Sequence, residues 1–100
     1  MLVHVVNFWL KSGLDETDRK KFENGVSTLG TIEGVQFFNV GKPAQTDRPV
    51  IDRSYDYCLL TVFENMEAHD YYQDVDIHLK FIADCSHLWE RVLIYDSESI

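Results

Sequence analysis

The groups in this chain best suited to exchange protons or hold a metal near neutral pH are its four histidines, His4, His69, His78 and His87, and its two cysteines, Cys58 and Cys85. The cysteines have no C-x-x-C or other metal spacing; Cys58 sits in a strand-like run and Cys85 in a helix-like one. They read as buried free thiols that behave as small hydrophobes, which suits a reducing compartment. A metal reading rests on Asp74, Asp76 and His78, with His69 or His87 as further ligands, and its oxygen donors suit Mg²⁺ or Ca²⁺. Asp74 and His78 share a face only if the segment is helical there, and Asp76 stands where a helix cap belongs. No metal and no cofactor is therefore expected. The chain also has no Gly-rich phosphate loop, no Ser-His-Asp elbow and no HExxH motif.

These side chains must be positioned by a fold that 100 residues can build, which is one domain, 1–100, with 45% hydrophobic residues to form its core. The formal net charge of −8 excludes partners recognised through phosphate, nucleic acid and anionic membrane surfaces alike, since these need clustered Lys and Arg. The basic run Arg19-Lys20-Lys21 is interleaved with Asp15, Glu16, Asp18 and Glu23, and Glu16/Lys20 and Arg19/Glu23 fall at i,i+4, as on a solvated helix face. The apolar opening Leu2 to Leu10 includes His4 and Asn7 and lacks a basic leader and a small-residue cleavage site, so it is not read as a signal peptide. No run approaches the ~18 apolar residues of a membrane helix, and a cytoplasmic location is expected.

Residues 2–10 (LVHVVNFWL) are β-branched and aromatic and predict a first strand. From Asp15 to about Leu29, Phe22, Val26 and Leu29 recur at helical period, with acidic residues in the first turn and Gly30 at the end. VQFFNV (35–40) predicts a second strand and 41–54, with two prolines, a long exposed loop. A third strand is expected over 55–63, and a short helix capped by Asn65 runs to about Gln73. Ile77, Phe81, Cys85 and Leu88 form the stripe of a last helix from about Ile77 to Trp89, with Asp76 as cap; Arg91 to Asp96 predicts a fourth strand, and SESI a polar tail.

This order, β-α-β-β-α-β, is the split βαβ of a ferredoxin-like α+β fold: a four-stranded antiparallel sheet with helices on one face. The first strand is apolar on both parities, with Leu2, Val6, Phe8 and Leu10 around His4 on one and Val3, Val5 and Trp9 on the other. The third strand is alike. Helices cover one face, so the other predicts a two-fold homodimer packed sheet to sheet, a dimeric α+β barrel.

The stretches His4-Val-Val-Asn-Phe-Trp-Leu-Lys11, Phe63-Glu-Asn-Met-Glu-Ala68, Tyr72-x5-His78 and Trp89-x5-Tyr95-Asp96, in this order, make the chain resemble the stress-responsive A/B barrel domain (Dabb) family over nearly its whole length. The resemblance implies a dimeric α+β barrel with helices outside. It also implies that most relatives have no assigned reaction, while some plant members are polyketide cyclases with a Tyr and His pair between sheet and helices. Tyr72 and His78 match that catalytic pair, and His4 matches a strand-one histidine lining the same cleft. Where the family usually reads His-Pro-x-His, this chain reads Val75-Asp76-Ile77-His78.

By that resemblance His78 would take a proton from carbon beside a carbonyl, as an imidazole of pKa about 6.5 can, and Tyr72 would hydrogen-bond the oxygen in an aldol or Claisen-type condensation. His4, Phe8, Phe22 and Phe81 would line a cleft for a small hydrophobic or aromatic ligand. Two other readings follow from the same fold. Cofactor-free or haem-degrading monooxygenases share it, and the haem-degrading ones would use Asn7 and His78; a non-enzymatic, stress-related structural or binding protein would use only the dimer.

Overall fold

Strand β1, Leu2–Leu10, alternates buried and half-buried residues along its whole length, because its side chains point in turn to the two faces of the sheet. The computed structural model describes residues 1–100. β1 pairs antiparallel with β3, Tyr57–Phe63, on one side and with β4, Trp89–Glu98, on the other, and β2, Phe37–Gly41, pairs with β3. The sheet order is β2-β3-β1-β4, as expected of a ferredoxin-like fold. A register shift between Trp9 and Leu10 lets Trp89 pair with Leu10, so β4 starts two residues earlier than the sequence suggests and takes Ser97 and Glu98 from the expected tail.

The helices all lie on the face that buries Leu2, Val6, Phe8, Leu10, Tyr57, Leu59 and Phe63. Helix α1, Glu16–Ser27, is started by Asp15, whose carboxylate accepts the Asp18 N–H at 2.8 Å, and it buries Phe22 and Val26 completely. Each such burial contributes about 1.5–3 kcal/mol. The helix tightens into a 3₁₀ turn, Thr28–Thr31, before Leu29 is buried in the same stripe. Gly30 does not end the helix; a Cβ there would lie 2.8 Å from the Phe38 ring, so glycine is kept by the close approach of β2.

Helix α2, Met66–Asp74, is capped as expected by Asn65, which accepts the Ala68 N–H at 3.0 Å. Helix α3, Asp76–Cys85, differs from expectation at its start. Val75 is extended (φ −75°, ψ 155°) and occupies the cap position, its carbonyl accepting from Leu79 N–H at 3.1 Å, while Asp76 is the first helical residue and favours the dipole. Ile77 is 38% exposed and stands outside the buried stripe of Phe81, Cys85 and Leu88, because it sits at the rim of the groove between α1 and α3. No helix is long and apolar enough to cross a membrane.

The opposite sheet face carries no helix. It presents Val3 and Val5 of β1, Leu60 and Val62 of β3, Phe37 of β2 at 58% exposure and Tyr95 of β4 at 61%.

Candidate functional site

The β1–β4 register places His4 directly across from Asp96, and both point to the helix side of the sheet. His4 is 2% exposed, and its Nδ1 lies 2.5 Å from Asp96 Oδ1. Burial lowers the pKa of His4 and the adjacent Asp96 carboxylate opposes it, which leaves a largely neutral imidazole near pH 7. Helix α2 passes over this pair and brings two rings down. His69 meets His4 edge-on with centroids 5.1 Å apart, and Tyr72, one turn later, meets it edge-on at 5.9 Å. From α3, His78 packs against Tyr72 at 5.0 Å.

Two polar atoms in this cluster are buried without a partner, Tyr72 Oη and His78 Nδ1. Thr61, the hydroxyl facing Tyr72 from β3, donates to the His4 carbonyl at 3.4 Å and lies near enough to the phenol to act on it. Burial pushes the Tyr72 phenol well above its usual pKa, with Thr61 opposing. Burial also lowers the pKa of His78, and the neighbouring His4 adds to this. The chemical outcome is a phenol that stays protonated beside an imidazole that stays neutral, a donor and a base side by side.

The residues expected on the sequence thus divide into two groups. His4, Tyr72 and His78 come together as one chain of rings. Phe8, Phe22 and Phe81 form a second cluster, with Phe8–Phe22 at 5.1 Å and Phe8–Phe81 at 6.2 Å, completed by Trp89, which lies 5.0 Å from Phe8. These three phenylalanines are at most 3% exposed and fill the space between sheet and helices. The principal hollow, of about 810 Å³, lies between α1 and α3, with Phe81 on its floor and Lys20, Lys21 and Lys80 on its walls; none of Tyr72, His78 and His4 lines it.

Other arrangements weighed on the sequence are not assembled. Asp74, Asp76 and His78 do not converge on one point, since the extended Val75 breaks the helix between them. The ligand-bearing groups that do converge are His4, His69 and Asp96, whose donor atoms lie within 4.8 Å of one another. Asn7 points to the outer face, paired with Cys58 and Leu93, and the sheet separates it from His78, so the haem-degrading arrangement is not assembled. Glu23 does not pair with Arg19 along the helix; it accepts from the Tyr57 hydroxyl, whose pKa is pushed up to about 12 by burial first and by this carboxylate second.

Asp96 is the member of the site that sequence reasoning missed, and His69, weighed there only as a further ligand beside Asp74, Asp76 and His78, belongs instead with His4 and Asp96. The parity of β4, with Val92, Ile94 and Asp96 on one side, held a signal for Asp96; the partners of His69 had none, because they come from two other elements.

A family model described as the stress responsive A/B barrel domain matches residues 2–99. No curated protein matches the sequence. Among solved structures, a Dabb-family protein with a ferredoxin-like fold from Mesorhizobium loti is 26% identical, with a TM-score of 0.79 over 99% of this chain and 96% of that one. A dimeric ferredoxin-like protein from Thermobifida fusca is 14% identical, with a TM-score of 0.77 over 96% of this chain and 88% of that one. A hydroxynitrile lyase from Passiflora edulis is also 14% identical, with a TM-score of 0.77 over 96% and 90% of the two chains. With the sheet order, the helix layer and a family match spanning residues 2–99 in agreement, the chain belongs to the stress-responsive A/B barrel domain family.

Proposed function

We propose that the chain works as a homodimer joined through the bare face of its sheet, and that each protomer receives a small hydrophobic or aromatic carbonyl compound between sheet and helices. There His78 takes a proton from the carbon beside the carbonyl, and Tyr72 donates a hydrogen bond to the carbonyl oxygen as it gains charge. The single observation that carries this reading is the pair of buried, unpartnered polar atoms, Tyr72 Oη and His78 Nδ1. Leaving each unpaired costs about 1–3 kcal/mol; a carbonyl oxygen accepting from the phenol relieves the first, and the imidazole nitrogen faces the carbon whose proton it takes.

The protonation states agree with those roles, since burial keeps Tyr72 a donor and His78 a base. In this reading His4 orients the bound compound, beside the aromatic cluster of Phe8, Phe22 and Phe81. The dimer is supported by the uncovered apolar face, with Phe37 58% exposed, and by fold relatives described as dimeric. That a protein of this fold is a hydroxynitrile lyase supports the fold as a host for enzymes.

The test is exchange of the methyl protons of acetophenone in D₂O, followed by proton NMR. Exchange faster than buffer by about 10²–10⁴-fold, lost in His78→Gln and reduced in Tyr72→Phe, is expected. Exchange at the buffer rate with the wild-type protein would overturn the reading.

A further inference from the structure

We propose that His4, His69 and Asp96 form a binding site for a divalent first-row transition ion of the zinc type, one per protomer, built by β1, α2 and β4 where they meet. This departs from the metal-free expectation of the sequence, in which the three residues are too far apart to form any spacing motif. Their donor atoms nevertheless lie within 4.8 Å of one another. Two imidazoles and one carboxylate are a borderline donor set that suits zinc, cobalt, nickel and iron(II) and not magnesium or calcium.

The hydrogen bonds around His69 say which atom faces the site. Its Nδ1 lies 3.1 Å from Asp70 Oδ1, a carboxylate that can only accept, so the ring proton sits on Nδ1 and Nε2 carries a lone pair. Gln73 Nε2 approaches that lone pair at 3.4 Å as a donor would. The same Nε2 faces Asp96 Oδ2 across 3.8 Å. The gap is beyond hydrogen-bond reach, and an ion entering it displaces the Gln73 amide from Nε2. That separation is close to the span of two ligands sharing one ion, since bonds of about 2.0–2.2 Å at a tetrahedral angle put donor atoms about 3.4 Å apart.

His69 thus already has the outer carboxylate that usually holds a metal-bound imidazole, here Asp70. On the other side, His4 Nδ1 and Asp96 Oδ1, 2.5 Å apart, must open by about an ångström to admit the ion. Asp96, with a side chain 41% exposed on an edge strand, has room to turn, whereas His4, at 3%, is fixed. The proton balance is simple. Neutral His4 keeps one proton, which moves from Nδ1 to Nε2, and the carboxylate and His69 give up none. Three protein ligands leave a fourth position for water or an oxygen ligand, the arrangement of an ion that polarises what binds to it.

The site does not depend on the proposed carbonyl chemistry, and its test needs no substrate. Tag-free protein is dialysed against Zn²⁺ and separately titrated with Co²⁺, whose visible bands intensify in a tetrahedral nitrogen and oxygen field. One Zn²⁺ retained per protomer and tetrahedral Co²⁺ bands are expected. His69→Ala and Asp96→Asn should each weaken binding by about 10-fold or more, with His87→Ala unchanged; circular dichroism checks that each variant is folded. His69 is partly exposed on the surface of α2, so its alanine variant keeps the fold even if Asp96→Asn does not. No retained Zn²⁺, or undiminished binding in His69→Ala, would overturn the proposal.

Discussion

Replacing Tyr72 by Phe removes one oxygen from a side chain with 0% exposure and leaves its ring contacts with Phe63, His4 and His78 in place. Because Oη has no partner, the folded protein bears its desolvation unrelieved, about 1–3 kcal/mol. The void left behind holds about 10–15 Å³, which at about 24 cal/mol per Å³ returns about 0.3 kcal/mol. The two terms differ several-fold, so desolvation wins and Tyr72→Phe should be more stable than wild type by about 1 kcal/mol or more. For a domain of this size that raises Tm by about 4–8 °C per kcal/mol. Urea unfolding and calorimetry at one fixed protomer concentration measure it, since the proposed dimer would make Tm concentration-dependent. Ordinary hydroxyl deletions destabilise when the hydroxyl was bonded. A loss of 1 kcal/mol or more would therefore show that Oη is satisfied in the resting protein, and the reasoning from an orphaned pair would fail.

The buried histidines set a pH dependence. The folded-state pKa of His78, like that of His4, is below the unfolded value of 6.5, so the unfolded chain binds more protons; their contribution to stability is complete above about pH 6.5 and is lost as pH falls below it. Denaturation between pH 7 and 5 should show this loss, with a shallower slope for His78→Gln. Gly25 packs where a Cβ would lie 2.7 Å from Cys85 Sγ, and Cys85, at 1% exposure, has nowhere to turn. Gly25→Ala should cost about 1–3 kcal/mol despite its better helix propensity, and a double-mutant cycle with Cys85→Ala should recover part of it. A charge on the bare sheet face, Leu60→Asp, should yield monomers by analytical ultracentrifugation while α2 and α3 keep their helicity, because Leu60 points away from them.

How far the chain could be read from its residues follows from the range of the interactions involved. Two-residue alternation in Leu2–Leu10 gave both faces of β1, and helical spacing of Phe22, Val26 and Leu29 gave the buried stripe of α1, since both are local periodicities. The Tyr72, His78 and His4 grouping came from the order of short motifs shared with a family. What escaped depends on register and on breaks. His4 meets Asp96 only because β1 and β4 align as they do around a shift at Trp9/Leu10, and His69 joins them only because α2 crosses over that point. Asp76 and Ile77 were placed wrongly for one shared reason. The extended Val75 starts α3 a residue early and leaves both at its first turn, outside the buried stripe. Gly30 carried a meaning that no local pattern holds, since the atom it avoids belongs to Phe38 on a later strand.

The proposed function requires that Tyr72 Oη and His78 Nδ1, which have no partner in the folded chain, be held unpaired for a guest. A high-resolution crystal structure of the protein soaked with an aromatic ketone tests this most directly. The prediction is a carbonyl oxygen within about 2.6–3.2 Å of Tyr72 Oη and the adjacent carbon facing His78 Nδ1. An ordered water bridging the two atoms, with the ketone absent from the space between sheet and helices, would contradict it.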